Sequence, residues 1–494
     1  MRGGQVPVRI PLATSAILAL LPVLAAAAEV GAGDVSTGAR VPAAARVERV
    51  GTSATLLQAN ARGAVETLHV DGRLDLGNAF FSALGANGRT CETCHGPRDG
   101  WSLTPATAQA RFAGSAGTDP LFRTNDGSVS PRADVGTVEA RRTAYALLLD
   151  KAVIRVGLPM PAGADFELVR VADPYGHASA AELSLFRRPL PATNLTLTNT
   201  VMWDGRETLV AASGQACVIG AAVCYAGHDD NLGRQANGAT VGHAQAAAPL
   251  TDAQREEIVR FEVGLTTAQR LDDVAGDLAG DGARGGAAAL ALERFYFGIN
   301  DFTYGDYRQR KAFDANVFSL FAAWTTGTPP PDTATAAARL SIARGEALFN
   351  GRAFEVHDVA GFNDVVGAPD AHVTCGACHD APNSGASSVP AFIDLGVSAD
   401  SRRSPDVPLY TLRNRATGET LATTDPGRAL VTGRWGDIGK FKVPSLRALA
   451  ARPPYFHDGS APDLAAVVDF YDRRFQIHLA PGEKADLVAF LEAL

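Results

Sequence analysis

The sequence predicts a mainly α protein of two domains with long loops, and three observations carry that prediction. The pentad C-x-x-C-H occurs twice, as CETCH at 91–95 and CGACH at 375–379. Helical apolar spacing recurs on both sides of the second pentad, with little strand-like alternation. The chain has 494 residues, 50 of them Gly and 28 Pro, which is too long for one simple core and rich in turn formers.

Taken in order, Arg2 and Arg9 precede an apolar run from Ile10 to Leu24, and Ala25 to Ala28 offers small residues for cleavage. This is the layout of a secretory signal over 1–28. Residues 29–60 lack clear periodicity and are expected to be a leader with little regular structure. The first pentad opens an N-terminal domain, 61–330. Within it a helix is expected around 251–268, where Thr251 and Gln254 make a capping box and Ile258, Phe261 and Leu265 share a face. An apolar helix is expected over 312–324. The Pro/Thr stretch TTGTPPPDTAT at 325–335 marks the domain boundary. In the C-terminal domain, 331–494, a helix over 335–349 precedes the second pentad. A last helix over 482–494 carries Leu487, Phe490, Leu491 and Leu494 on one face.

The pentads define a cofactor. Two thiols three residues apart can add to the two vinyl groups of one porphyrin, and the adjacent imidazole ligates its iron. Cys91, Cys94 and His95 would hold one haem c, and Cys375, Cys378 and His379 a second. A zinc knuckle would need further ligands at matching spacing, and a thioredoxin-like pair needs no His. Haem c is attached outside the cytoplasm, so the export signal and the pentads support each other. The result is two cytochrome c-like haem domains in a secreted, periplasmic protein. The remaining pair, Cys217 and Cys224, is expected to close a local disulfide in an oxidising compartment.

The formal net charge is -8 and no basic run reads as a nucleic-acid footprint. Beyond the signal, no stretch is long and apolar enough to span a bilayer.

The sixth iron ligand decides what a c-type haem does. The only methionines are Met1, Met160 and Met202. The C-terminal domain therefore has no Met for its own haem, and an ordinary His/Met electron carrier is excluded there. His457, His478, Tyr455 and Tyr471 are the local alternatives, alongside an open site.

Residues 439–472, with VPSLR and PYFHDGS, resemble the C-terminal segment of bacterial di-haem cytochrome c peroxidases and MauG-like proteins. Met202-Trp203-Asp204-Gly205-Arg206 resembles their WDGR motif. The order pentad, WDGR, pentad, HDGS extends the likeness over roughly 75–494. The resemblance implies that hydrogen peroxide binds at the N-terminal, peroxidatic haem on His95. It implies that Trp203 relays electrons between the haems and that His457 lies near them. It implies that Tyr471 takes the ligand position on the C-terminal haem, as in the MauG-like branch. A calcium ion would be held between the domains by Asn194 and the carbonyls of Arg452 and Pro454. The alternative for Trp203 is a buried core residue.

The chain departs from the family where the peroxidases carry a distal Glu. QANGATVGHAQ at 235–245 has no carboxylate. Its polar candidates are His243 and Gln245. His243 could act as acid–base, ligate the iron, or lie on a surface loop. The expected activity is peroxide reduction, with electrons from a small donor protein (a cytochrome c or cupredoxin) or from an oxidised protein substrate. A di-haem oxygenase acting on an organic or protein substrate and a non-catalytic di-haem electron carrier are the alternatives.

Overall fold

The polypeptide was described as a computed structural model covering residues 55–210, 216–220, 223–327 and 332–494. The expected signal over 1–28, most of the leader and the centre of the 325–335 linker lie outside these residues. Residues 49–494 form one compact unit.

The leader's last residues are ordered into a strand. β1 (Thr55–Asn60) pairs with β2 (Gly63–His69) as a hairpin. Helix α1 (Pro105–Ser115) is capped by Thr104. Three strands follow: β3 (Ile154–Leu158), β4 (Phe166–Ala172) and the wholly buried β5 (Leu183–Arg187). β6 (Ala216–Val218) and β7 (Val223–Tyr225) make a hairpin joined by a Cys217–Cys224 disulfide, as the sequence suggested. Then come α2 (His228–Gly242) and α3 (Asp252–Gly264).

Thr251 caps α3 through the expected reciprocal bonds with Gln254. The helix stops earlier than the apolar spacing suggested. Leu265 begins β8 (Leu265–Asp272), where the β-branched Thr266 and Thr267 pair with β2. With β9 (Gly276–Asp277) the sheet order is β1–β2–β8–β9.

The helix expected over 312–324 does not form. Only Ala323–Thr326 is helical. The apolar residues of this stretch, Phe318 and Phe321, enter the core from an irregular loop. Buried Glu346 takes the place of helical acceptors, receiving the N–H groups of Leu320 at 2.8 Å and Phe321 at 2.7 Å.

Glu346 lies on α4 (Thr333–Gly351), the longest helix described, capped by Asp332. The small strands β10 (Phe354–His357), β11 (Asp370–Val373), β12 (Phe392–Ile393), β13 (Leu409–Asn414), β14 (Thr420–Thr423) and β15 (Phe441–Lys442) follow. α5 (Leu464–Phe475) and α6 (Pro481–Glu492) close the chain. The expected apolar face of the last helix is buried, with Phe490 and Leu494 fully inside. α6 crosses α4 at Gly345, where a Cβ would lie 2.0 Å from the Asp486 carbonyl, so only glycine permits the approach.

The secondary structure corrects the mainly α expectation. Helices account for 32% of the described residues and strands for 18%, a mixed composition with several small sheets. The missed strands are two to eight residues long, too short to show a clear alternation. One of them, β13, pairs with β4 from the other half of the sequence. Among the described residues no helix is long and apolar enough to cross a membrane.

Candidate functional site

The two pentads fold alike. Each begins after an extended threonine, Thr90 or Thr374, and makes one tight 3-10 turn, Cys91–Thr93 or Cys375–Ala377. The His95 N–H then donates to the Cys91 carbonyl at 3.0 Å, and the His379 N–H to the Cys375 carbonyl at 3.2 Å. This turn sets each Cys–Cys–His triplet along the wall of one cavity. The first cavity is lined by Cys91, Cys94 and His95. The second is lined by Cys375, Cys378 and His379.

The imidazoles are prepared for a metal. Burial pushes His95 and His379 down to about 4, so both are neutral near pH 7. His95 Nδ1 donates to the Trp101 carbonyl at 3.2 Å and His379 Nδ1 to the Gly385 carbonyl at 2.6 Å, which leaves each Nε2 for the iron. Burial pushes the thiols of Cys91, Cys375 and Cys378 up to about 12, and neither pair is closed as a disulfide. Among the described residues no cluster of three or more His, Cys, Asp or Glu is arranged to hold a metal ion.

The cavities share a wall. Arg188, Leu190, Trp203, Lys442, Ser445 and Arg452 line both. Arg188, Lys442 and Arg452 are 5%, 8% and 9% exposed. Every hydrogen bond their side chains donate goes to a main-chain carbonyl, and none goes to a carboxylate. Burial pushes them down to about 9, 8 and 10 respectively. Buried cations without anions are costly. The carboxylate arms of two porphyrins would supply the missing charge, so the residues present fit haem at both cavities.

Trp203 is pinned in that wall. Its indole Nε1 donates to the Arg188 carbonyl at 2.8 Å, and its own carbonyl accepts the Lys442 N–H at 2.9 Å. Buried Asp204 accepts from Arg187 Nη1 at 2.5 Å and from Arg206 Nη1 at 3.1 Å, and Arg187 is held on its other edge by Asp425. Burial pushes Asp204 up, but the two guanidinium groups outweigh it and hold the carboxyl at about 2. Gly205 has φ 68°, and a Cβ there would lie 2.2 Å from the Phe392 ring.

Near His95, His243 closes α2. A surface loop was one of three alternatives for His243, yet residues 228–242 are helical and His243 caps them. The face of α2 toward the first cavity carries His228, Leu232, Gln235, Ala236, Ala239 and His243. His243 Nδ1 bonds Asp126 at 2.5 Å, and Arg89 Nη1 bonds the other Asp126 oxygen at 2.5 Å. Burial raises Asp126, but the His243 hydrogen bond and the Arg89 charge together hold it below the usual range. Gln245 does not reach the cavity. Its backbone turns left-handed at φ 56°, and its exposed side chain meets Asn87 at 3.3 Å.

The second cavity receives Tyr471, Tyr455 and His457, while His478 is absent from its lining. The Tyr455 hydroxyl donates to the Leu449 carbonyl at 2.9 Å. His457 stacks on Phe441 at 4.1 Å and meets Trp203 edge-on at 6.4 Å. Its place is therefore the second cavity, on the Trp203 side. Tyr471 projects from α5, and burial pushes its hydroxyl above the ordinary value.

Sequence reasoning missed two groups in the first cavity. Glu262, 6% exposed, has an unpartnered Oε2 among the described residues, and burial pushes it up to about 8. His228 has neither ring nitrogen bonded among them, and burial pushes it down to about 4. Both could have been found from helical spacing. Glu262 lies four residues after Ile258, and His228 lies fifteen before His243.

A mixed fold holding two Cys–Cys–His cavities with neutral imidazoles and a cationic shared wall defines a di-haem c-type cytochrome. Two curated relatives are named as cytochrome c peroxidases. A 171-residue segment is 33% identical to the cytochrome-c peroxidase IdrP1 of Pseudomonas sp. (strain SCT), covering 31% of this chain and 39% of that one. A 121-residue segment is 33% identical to the cytochrome c551 peroxidase of Nitrosomonas europaea, covering 24% of this chain and 30% of that one. The chain thus spans less than two-fifths of the curated relatives it matches. A solved MauG-like protein associated with microbial copper homeostasis aligns over 85% of this chain and 88% of its own, at TM-score 0.33 and 16% identity. No family model matches. Over these segments the chain is similar to bacterial cytochrome c peroxidases.

Proposed function

We propose that the protein is a periplasmic oxidoreductase that reduces hydrogen peroxide at the His95 cavity with electrons relayed from the His379 cavity. One observation carries this reading: Trp203 lines both cavities and is fixed by hydrogen bonds to each side of the wall. When bound, the haems supply the iron centre for peroxide and the electron store; the rest falls to side chains.

His95 and His379 would hold the two irons through Nε2 when haem is bound. His243, oriented by Asp126, takes a proton from peroxide at Nε2 and returns it to the leaving oxygen. It lines the same cavity as His95, which supports its acting at that haem. Trp203 carries electrons across the wall, and His457 packs against its edge to hold the indole plane. Tyr471 is the proposed sixth ligand of the second haem, giving the MauG-like ligation and favouring oxidised iron. The electron source is a small cytochrome c or cupredoxin, or a protein oxidised at the surface.

The centre of the α2 face is Leu232, Ala236 and Ala239, with Gln235 its polar member. That apolar face, with the cavity's carboxylate supplied instead by Glu262 of α3, favours, as second reading, O₂-dependent oxidation of an organic or protein substrate. Stopped-flow oxidation of reduced holoprotein separates the two. Stoichiometric peroxide consumption with a reduced donor supports the main reading. Substrate-dependent O₂ uptake without peroxide turnover replaces it.

A further inference from the structure

The family's calcium does not fit the residues expected to hold it. Asn194 is 3% exposed, and both ends of its amide are paired with one neighbour: Nδ2 donates to the Thr267 carbonyl and Oδ1 accepts the Thr267 N–H, both at 2.8 Å. The carbonyl of Arg452 is also occupied, accepting from Arg188 Nη2 at 3.1 Å. A divalent ion on that oxygen would sit against a guanidinium, and Coulomb repulsion in a buried site opposes it.

The same guanidinium reaches further. Nη2 also donates to the Leu103 carbonyl at 2.7 Å, and Nη1 to the Lys151 carbonyl at 3.1 Å. Three carbonyls from separate segments thus converge on one cation, as they would on a metal ion. The main chain of Arg188 completes the junction. Its N–H donates to the His457 carbonyl at 2.6 Å, and its carbonyl accepts the Trp203 indole.

We propose that the Arg188 guanidinium replaces a bridging metal ion in the wall between the cavities, so that the Trp203–His457 geometry is set without calcium. The inference needs the two haem cavities but not peroxide reduction, so its test reads the haems and leaves turnover aside.

Holoprotein is dialysed against EGTA, then returned to millimolar calcium, with the oxidised EPR spectrum and both midpoint potentials recorded at each stage. The same series is run on Arg188→Gln and Arg188→Lys. The expected result is no shift for the natural protein at any stage. Both potentials fall in Arg188→Gln, because a cation near both irons is lost, and largely recover in Arg188→Lys. A spectrum or potential that moves on EGTA treatment and returns with calcium overturns the proposal, as does an Arg188→Gln protein matching the natural one. If Arg188→Gln does not load haem, the chelation series on the natural protein still decides.

Discussion

The indole of Trp203 is bonded to Arg188, and Trp203 and Arg188 together line both haem cavities. Two cavities that share a tryptophan can share electrons, and the first prediction concerns that residue. Trp203→Phe keeps most of the packing but removes the Nε1 donor and the indole. Haem content should be unchanged, while turnover falls roughly ten-fold or more, about 1.4 kcal/mol of barrier. Unchanged steady-state turnover at full haem loading would sink the relay.

His243 and Asp126 should separate by readout. His243→Gln removes the proton carrier, and the second-order rate with peroxide should drop by roughly 10²–10⁴. Asp126→Asn keeps the shape but leaves Arg89, 3% exposed, without its counter-charge. That variant should lose about 3–5 kcal/mol of stability, measured by denaturant unfolding, and shift the pH profile of the peroxide reaction. A His243→Gln enzyme of normal rate would move the acid–base role elsewhere on α2.

Tyr471→Phe removes the hydroxyl without disturbing α5. The low-spin ferric signal of the second haem should change, and its midpoint potential should rise because an oxygen ligand favouring ferric iron is lost. An identical EPR spectrum would mean that the iron takes another ligand, with His457 the next to test.

Glu262 gives a pH prediction. Its folded pKa is raised to about 8 from 4.5. The folded state therefore binds a proton that the unfolded state has released, and stability falls as pH rises from about 4.5 to about 8. Glu262→Gln should flatten thermal stability across that window and be at least as stable at pH 8. A variant whose stability still falls as steeply would show that another group controls the slope.

Asp204 works in the opposite direction. Its folded pKa, about 2 against 3.8, is depressed by Arg187 and Arg206. Its contribution is full above about pH 4 and is lost as pH falls towards 2, and amounts to roughly 2 kcal/mol. Asp204→Asn should thus be clearly less stable than the natural protein at pH 7. In acid unfolding followed by circular dichroism, the gap should narrow below pH 4.

The sequence by itself determined whatever short-range chemistry settles. The pentads needed only a tight turn and two thiols three residues apart. The Thr251–Gln254 capping box, the ends of the chain's last helix and the Cys217–Cys224 pair were local in the same sense. The lack of Met after residue 202 excluded a Met ligand from the C-terminal domain by composition alone. Tertiary structure decided what depends on residues far apart in the chain. Strand β13 exists as part of a sheet with β4, whose partner residues lie more than two hundred positions away, so its short run carried no signal. Phe318 and Phe321 looked helical because they were apolar, but buried Glu346 offered their loop a better set of acceptors. Gln245 looked like a neighbour of His243, yet a left-handed turn points it outward. Asn194 and Arg452, read from the resemblance as calcium ligands, are hydrogen-bonded to Thr267 and Arg188. In each case the deciding atom belongs to a distant segment, and long-range hydrogen bonds and close packing leave no periodic trace in a single sequence.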